Sequence, residues 1–232
     1  MAAFDNAAQD RLLRALAEQL KLPLLQIARE AELSQSTKNL ESLASISYTA
    51  DMALRLVDSY LLSVQLQSLP SLDLEPVSVS AVLQDTAHQL HILAKQYNCD
   101  LNIDIKGKYQ PVMAHRRSLE AAYISLGYAF IESVNNEQKH TVTLGAHHST
   151  RGLSVGAFSS HQGITADAFK RGSVLFGSAR QAMPGMSSTA GAGVFVANAL
   201  LANMEAPLRP SKHNKLSGLA ATLLQSHQLS LV

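Results

Sequence analysis

The sequence predicts a two-helix hairpin followed by an α+β layer sandwich. Apolar residues recur at alternating steps of three and four between positions 12 and 66, which is the spacing of helices packed side by side. This recurrence stops in the segment 69–76, which two prolines bracket, and helical and strand-like patterns alternate beyond it. We therefore predict a helical domain over residues 1–69 and an α+β domain over residues 76–232.

The second half of the hairpin carries the most regular pattern. Its heptad positions, termed the seam below, are Leu40, Leu43, Ser47, Ala50, Leu54, Val57, Leu61 and Val64. The polar stretch 32–37, with Ser34 and Ser36 as possible N-caps, predicts a short turn between two antiparallel helices. One hairpin cannot bury its whole apolar stripe, so we predict a homodimer in which two hairpins form a four-helix bundle.

The α+β domain is predicted from segments that differ in their apolar period. They are a helix over 79–97, strands over 100–106 and 111–114, a helix over 116–134, strands over 141–146 and 152–158, a helix over 194–204 and a strand over 219–224. The helical segments bring apolar residues to one face, whereas the strand over 100–106 alternates apolar and polar residues. This order predicts helices packed on one sheet.

Composition excludes several classes of protein. The 232 residues carry a net charge of +1, so no nucleic-acid partner is predicted. The single cysteine, Cys99, rules out an internal disulfide and suits a reducing compartment. The N-terminus lacks a signal-peptide pattern, and the longest uncharged stretch, 181–204, is rich in Gly, Ser, Thr and Asn. We expect a cytoplasmic protein that does not bind a membrane.

Pro23 lies inside the predicted first helix, where it indicates either a helix break or a kink. The residues around it, 17–27, resemble the phosphoacceptor box of sensor histidine kinases. The matching residues are Leu20, Lys21, Pro23 and Leu24, the second of them conservatively. Glu18 stands where that family carries its phosphorylated histidine, and no histidine precedes His88. The resemblance favours a helix that continues through the proline.

The order of elements after residue 76 is similar to that of the ATP-binding domain of histidine kinases. Four short stretches also resemble motifs of that domain: 75–77, 119–123, 162–164 and 191–194. The resemblance therefore covers nearly the whole chain. It implies the same two-domain fold, with residues 170–190 as the loop that would cover a nucleotide and with Lys170, Arg171 and Arg180 in that loop.

The positions that bind nucleotide in the family are altered in this chain. The register places Ala129 where the family has the asparagine that binds magnesium, and Ser159 where an aspartate binds adenine. Of the nucleotide-binding motifs, the glycines Gly163, Gly191 and Gly193 remain. We expect Gly193 to lead into a helix N-terminus that is suited to an anion. These glycines either still contact a ligand or only permit turns that the fold requires, and the second interpretation is favoured.

The resemblance and the altered positions together imply weak or absent binding of ATP and magnesium, and therefore no cofactor. Phe130 and Phe158 are expected to narrow or fill the cleft. The chain has nine histidines, including the pairs His88/His91 and His147/His148. Neither pair has a third ligand at a clear spacing, so no metal site is predicted.

The function implied by the resemblance is non-catalytic two-component signalling through dimerisation and partner binding. The expected partner is a response-regulator receiver domain or a sensor kinase, bound by the surface around Glu18, Lys21 and Leu22. One alternative is an ATP-binding kinase or phosphotransferase with a shifted, unconventional site. Another is a purely structural dimer in which the sandwich only supports the hairpin.

Overall fold

The computed structural model describes residues 2–37, 40–67, 72–105, 107–133, 139–160, 166–175 and 188–226. It confirms a helical hairpin followed by an α+β layer sandwich. The hairpin consists of α1 (Ala2–Thr37) and α2 (Leu40–Gln67). The predicted turn at 32–37 is wrong, because α1 continues through it and the Ser34 hydroxyl donates to the Glu30 carbonyl at 2.8 Å. Pro23 is buried inside α1 without ending it.

The second domain contains every helix and strand predicted for it and three elements more. Its elements are β1 (Glu75–Val77), α3 (Val79–Gln96), β2 (Cys99–Ile105), β3 (Val112–Ala114), α4 (Arg116–Glu132), β4 (His140–Ser149), β5 (Gly152–Ser159), α5 (Ala166–Leu175), α6 (Ser188–Ala202), β6 (Arg209–His213) and β7 (Leu216–Leu223). The additional elements are β1, α5 and β6. The predicted loop over 170–190 is wrong at both ends, because residues 170–175 belong to α5 and residues 188–190 belong to α6.

Side chains cap the two helices that lead into the core of the sandwich. The Ser78 hydroxyl accepts from the Ala81 amide at 3.4 Å and begins α3, while His115 Nδ1 accepts from the Ser118 amide at 3.3 Å and begins α4. Such caps satisfy amide groups that have no partner inside the helix. They fix where α3 and α4 start and so set the register of both helices against the sheet.

Five strands form the main sheet in the order β2-β4-β5-β7-β6, with β2 and β4 parallel and the other neighbours antiparallel. Leu144 of β4 faces α4, since a Cβ built on Gly127 would lie 3.7 Å from its Cδ2. Alternate residues of a strand point to opposite faces. The next strand therefore turns Ala157, the partner of Leu144, toward the helices and Phe158 away from them.

The prediction that Phe158 fills the cleft beside α4 is wrong for this reason. Its ring stacks instead on His213 at a centroid distance of 5.0 Å, on the face of the sheet that points away from α4. Phe130 is buried on α4.

The hairpin packs against the sandwich through α3 as well as α6. The Tyr48 hydroxyl donates to the Gln89 carbonyl at 2.7 Å and accepts from the Leu93 amide at 3.2 Å. Farther along the hairpin, the Gln26 amide donates to the Tyr97 hydroxyl at 3.1 Å. These bonds join both hairpin helices to α3 and hold the two domains in one arrangement.

Candidate functional site

Helices α1, α4 and α6 meet at Gly193, and this junction contains two of the predicted site residues, Ala129 and Gly193. A Cβ atom on Gly193 would lie 2.7 Å from Gln19 Nε2, 2.9 Å from the Ser125 carbonyl oxygen and 3.0 Å from Ala129 Cβ. These separations leave no room for a side chain, so the close approach of three helices requires glycine here. Gln19 of α1 is thereby placed against α6.

The predicted position of Gly193 before a helix N-terminus is wrong. Both Gly191 and Gly193 lie inside α6, which begins at Ser188. Their amide groups therefore fall within the helix, and the anion site expected at a helix start is not located at these glycines. The run from Ala190 to Gly193 contains only alanine and glycine and is fully buried, which lets α6 approach α4 closely.

The junction buries polar atoms that have no partner. Gln19 is completely buried, and neither its amide oxygen nor its amide nitrogen forms a hydrogen bond with a described residue. The Ser125 hydroxyl on α4 is in the same situation. Leaving a buried donor or acceptor unsatisfied costs about 1–3 kcal/mol. Apolar packing around Gly193 therefore has to offset the cost of burying these unsatisfied polar atoms. The junction contributes less to the free energy of unfolding than its buried area alone would predict.

The residues predicted to bind a partner lie on the outer side of the same turn of α1. Glu18 and Lys21 form an ion pair of 2.5 Å, with side chains 35% and 60% exposed. Leu22 is half-buried and packs against the core. An exposed pair of this kind contributes about 0–1 kcal/mol to folding. Glu18 faces outward while its neighbour Gln19 faces the junction.

The predicted nucleotide positions are only partly brought together. Ala129 is fully buried against Gly193. Ser159 lies on the helix-facing side of β5, opposite Val142 of β4 and Ser217 of β7, and is also buried. Gly163 falls outside the described residues, as does Arg180.

The residues at the junction do not fit a magnesium nucleotide. Ala129 offers no oxygen to a metal, and Gln19 occupies the space against Gly193. Among the described residues, no group of three or more His, Cys, Asp or Glu side chains is placed to hold a metal ion. The acid nearest along α4 is Glu132, which is buried beside two tyrosines. Burial, and then the charge of Glu132, raises the pKa of Tyr97 and of Tyr128.

A second polar cluster, termed the histidine cluster, lies on the face of the sheet that points away from α4 and was not predicted. His213 Nε2 is 3.0 Å from Asp104 Oδ2, and His213 Nδ1 is 3.1 Å from His147 Nδ1. The Asn214 amide also donates to Asp104 Oδ2 at 2.7 Å. The hydrogen-bonded pairs of this cluster are 66 to 110 positions apart in sequence, so no local motif could have indicated the cluster.

The histidine cluster joins the two edges of the sheet. Asp104 is on the edge strand β2 and His213 on the opposite edge strand β6, so the sheet curls until they meet above Gly145. Two ring nitrogens that face each other cannot both carry protons. Burial and the neighbouring His213 accordingly lower the pKa of His147. The histidine cluster therefore links the two edge strands through hydrogen bonds whose strength depends on the protonation of His147.

Comparison with solved structures identifies the fold. Acinetobacter baumannii histidine kinase AdeS has a TM-score of 0.56 at 14% identity, over 90% of this chain and 98% of that one. The catalytic domain of histidine kinase ThkA has a TM-score of 0.53 at 10% identity, over 66% of this chain and 98% of that one. ThkA in complex with the response regulator TrrA also has a TM-score of 0.53 at 10% identity, over 90% and 60%.

These likenesses show a histidine-kinase-like fold. No protein-family model matches the sequence, and no curated protein matches it. Among the described helices, none is both long enough and apolar enough to cross a membrane.

Proposed function

We propose that this chain is a histidine-kinase-like signalling protein that dimerises through its hairpin and binds a two-component partner without transferring a phosphoryl group. The observation that carries the proposal is the closed junction, where Gln19 and Ala129 both contact Gly193. A cytoplasmic location is part of the proposal, and the single thiol Cys99 suits it.

The seam supports dimerisation. Leu43, Leu54 and Leu61 are 56%, 62% and 48% exposed, whereas Met52 and Leu56 on the other side of α2 are buried. The hairpin therefore uses one face of α2 for its own packing and leaves the leucines of the heptad face largely exposed, while Val57 and Val64 of the seam are half-buried. Covering apolar area contributes about 25 cal/mol per Å². A second copy of the hairpin presents the same stripe and would cover it as a four-helix bundle.

The outer surface of α1 supports partner binding. Glu18 and Lys21 are accessible charges beside the half-buried Leu22, a combination of polar rim and apolar contact that is typical of transient interfaces. The structural neighbour ThkA is recorded in complex with the response regulator TrrA. By analogy, we propose that a receiver domain binds this surface of the present chain. A sensor kinase is the second kind of partner to test.

Three features argue against phosphoryl transfer. Glu18 has no nitrogen that could become phosphohistidine, and Ala129 has no oxygen that could bind magnesium. The space that a nucleotide would need beside Gly193 is occupied by Gln19. Each lost charge-assisted contact costs about 1.5–3 kcal/mol, or roughly tenfold or more in affinity.

The test for catalysis is incubation of the purified chain with labelled ATP and magnesium, together with calorimetry. We expect no label on the protein and no magnesium-dependent binding heat. Acid-labile label on any histidine, or micromolar ATP binding that a chelator abolishes, would instead establish the alternative of a kinase or phosphotransferase with a shifted site.

The test for partner binding is a titration of the chain against the receiver domains encoded in the same genome. At least one should bind, and the reversal of charge in Glu18→Lys combined with Lys21→Glu should weaken that binding about tenfold or more. Arg29→Glu, an exposed change farther along α1, is the matched control and should have little effect. If no receiver domain and no sensor kinase binds the chain, the partner-binding function is wrong.

A further inference from the structure

A cavity of about 650 Å³ lies at the far end of α6 from the junction. Asn203 and Met204, which follow α6, form part of its wall. They are ten residues beyond Gly193, which corresponds to about 15 Å along a helix. Pockets that bind small molecules commonly enclose about 300–1,000 Å³, so this cavity has the size of a ligand site.

The wall of the cavity is mainly apolar. Its apolar lining residues are Leu72, Leu74, Met113, Met204, Ala206, Pro207, Leu223 and Leu224. Two of them are unusually accessible, because Leu74 is 42% exposed and Leu224 is 67% exposed. A ligand that covered these two leucines would remove apolar surface from water and would be stabilised in proportion to that area.

The charged groups around the cavity are mostly cationic. Arg151 and Arg209 line it, and Glu205 is the one acidic residue among the described residues of the lining. Neither guanidinium forms an ion pair with a residue that the structure describes, whereas Arg116 outside the cavity contacts both Glu75 and Glu120. Two arginines against one carboxylate favour an anionic group on the ligand.

The walls are held in place before any ligand arrives. The Met113 amide donates to the Leu224 carbonyl at 2.9 Å, which fixes β3 against the end of β7. Gly152 has a φ of +146°, and a Cβ there would lie 2.3 Å from the Leu223 carbonyl oxygen. Only glycine permits that turn, and the turn seats the neighbouring Arg151 beside β7. A preformed wall lowers the entropic cost of binding.

We propose that this cavity binds a small amphiphilic carboxylate, with its apolar body against the leucines and methionines and its carboxylate at Arg151 and Arg209. Guanidinium groups match carboxylates because they offer paired parallel N–H donors. The proposal is independent of the function proposed above. Leu72 and Leu74 belong to the connection between the hairpin and β1, so the ligand would contact the segment that links the two domains.

The experiment uses decanoate as the probe and the methionine methyl groups as reporters. The full chain, labelled with ¹³C at the methionine methyls, is titrated with decanoate below its micellar concentration. We expect the signals of Met113 and Met204 to shift in a saturable manner, while Met52, buried in the hairpin, stays constant. Decanol, which lacks the charge, and acetate, which lacks the apolar chain, should each bind at least tenfold more weakly.

Variants decide whether the arginines recognise the carboxylate. Arg151→Gln and Arg209→Gln should each weaken decanoate binding about tenfold, and Arg117→Gln, an exposed arginine of α4 outside the cavity, should not. Thermal unfolding of each variant without ligand checks that it is folded. Absence of shifts at Met113 and Met204, equal binding of decanol, or equal affinity in the two arginine variants would each overturn the proposal.

Discussion

The hairpin and the sandwich differ in how completely they bury their large apolar side chains. In the sandwich, Leu83 and Leu144 are fully buried, as is Tyr123. In the hairpin, Leu54 remains 62% exposed and Leu61 48% exposed. The sandwich buries most of its large apolar side chains within one chain and leaves few exposed, such as Leu74 and Leu224, whereas α2 of the hairpin leaves several leucines of one face exposed. This difference supports the proposed dimer.

Buried polar groups do not show this contrast, because both regions contain satisfied and unsatisfied ones. In the sandwich, the Tyr123 hydroxyl donates to the Val155 carbonyl at 3.0 Å and His213 contacts Asp104. In the hairpin, the side-chain polar atoms of Gln19 and Ser63 are buried and have no partner among the described residues. The sandwich also buries polar atoms that have no partner among the described residues, for example the hydroxyl groups of Ser125 and Tyr128 on α4. The effect of a polar-to-apolar substitution therefore depends on whether the particular group is satisfied, and not on the domain that contains it.

The largest expected effect follows from the double change Leu54→Asp and Leu61→Asp. A dimer would contain four such leucines, each contributing about 1.5–3 kcal/mol when buried, so the variant should be monomeric at micromolar concentration. Sedimentation velocity measures the outcome. Gln65→Asp on an exposed position of α2 is the control and should remain dimeric. If the unmodified chain is a well-folded monomer under these conditions, the proposed dimer is wrong.

The next effect concerns the core of the sandwich. Leu144→Ala should lower the free energy of unfolding by about 2–5 kcal/mol, because Leu144 is fully buried against α4. Urea denaturation at two protein concentrations measures it. The loss should be present at both concentrations, whereas Leu54→Ala should matter only where the chain is dimeric. Equal effects of the two substitutions on a monomeric chain would contradict the assignment of separate roles.

A smaller effect, opposite in sign, is expected at Gln19. Gln19→Leu removes two unpaired polar atoms from a fully buried position and should raise the free energy of unfolding by about 1–2 kcal/mol. Gln26→Leu is the matched control on the same helix. Gln26 donates to the Tyr97 hydroxyl, so its loss should be destabilising by about 0.5–1.5 kcal/mol. Destabilisation by both substitutions would mean that Gln19 is satisfied in solution.

The smallest effect is the pH dependence of the histidine cluster. The folded chain lowers the pKa of His147 below its ordinary value of 6.5, so the folded state binds fewer protons than the unfolded state there. Stability from this group is present above pH 6.5 and is lost as the pH falls toward the lowered pKa. His147→Asn should flatten the decline in denaturation midpoint between neutral and mildly acidic pH. An unchanged slope would show that the cluster does not couple protonation to folding.

Much of the fold could be predicted because its elements carry local patterns. The helices α3 and α4 and the strands β2, β4 and β5 each show a period that the sequence displays over many residues. β6 was missed because the segment from Arg209 to His213 contains a proline and four polar residues. Such a segment is tolerated only at the edge of a sheet, and its edge position is known only from the structure.

The candidate site was likewise predictable only in part. The family register indicated Ala129 and Gly193, because both fall at recognisable positions of their segments, and the structure places them in contact. Gln19 was missed because a glutamine in an amphipathic helix has no feature that distinguishes a buried position from an exposed one. Its role depends on which face of α1 meets α6.

The sequence by itself determined the helical hairpin, the seam and the order of all helices and strands except β1, α5 and β6, because these features depend on neighbours within a few turns of chain. Only the tertiary structure decided what those elements meet. It put Gln19 against Gly193, turned Phe158 away from α4, and brought Asp104 to His213 across 109 positions. Contacts of this kind depend on sheet curvature and helix crossing, which many residues set together and no single motif records.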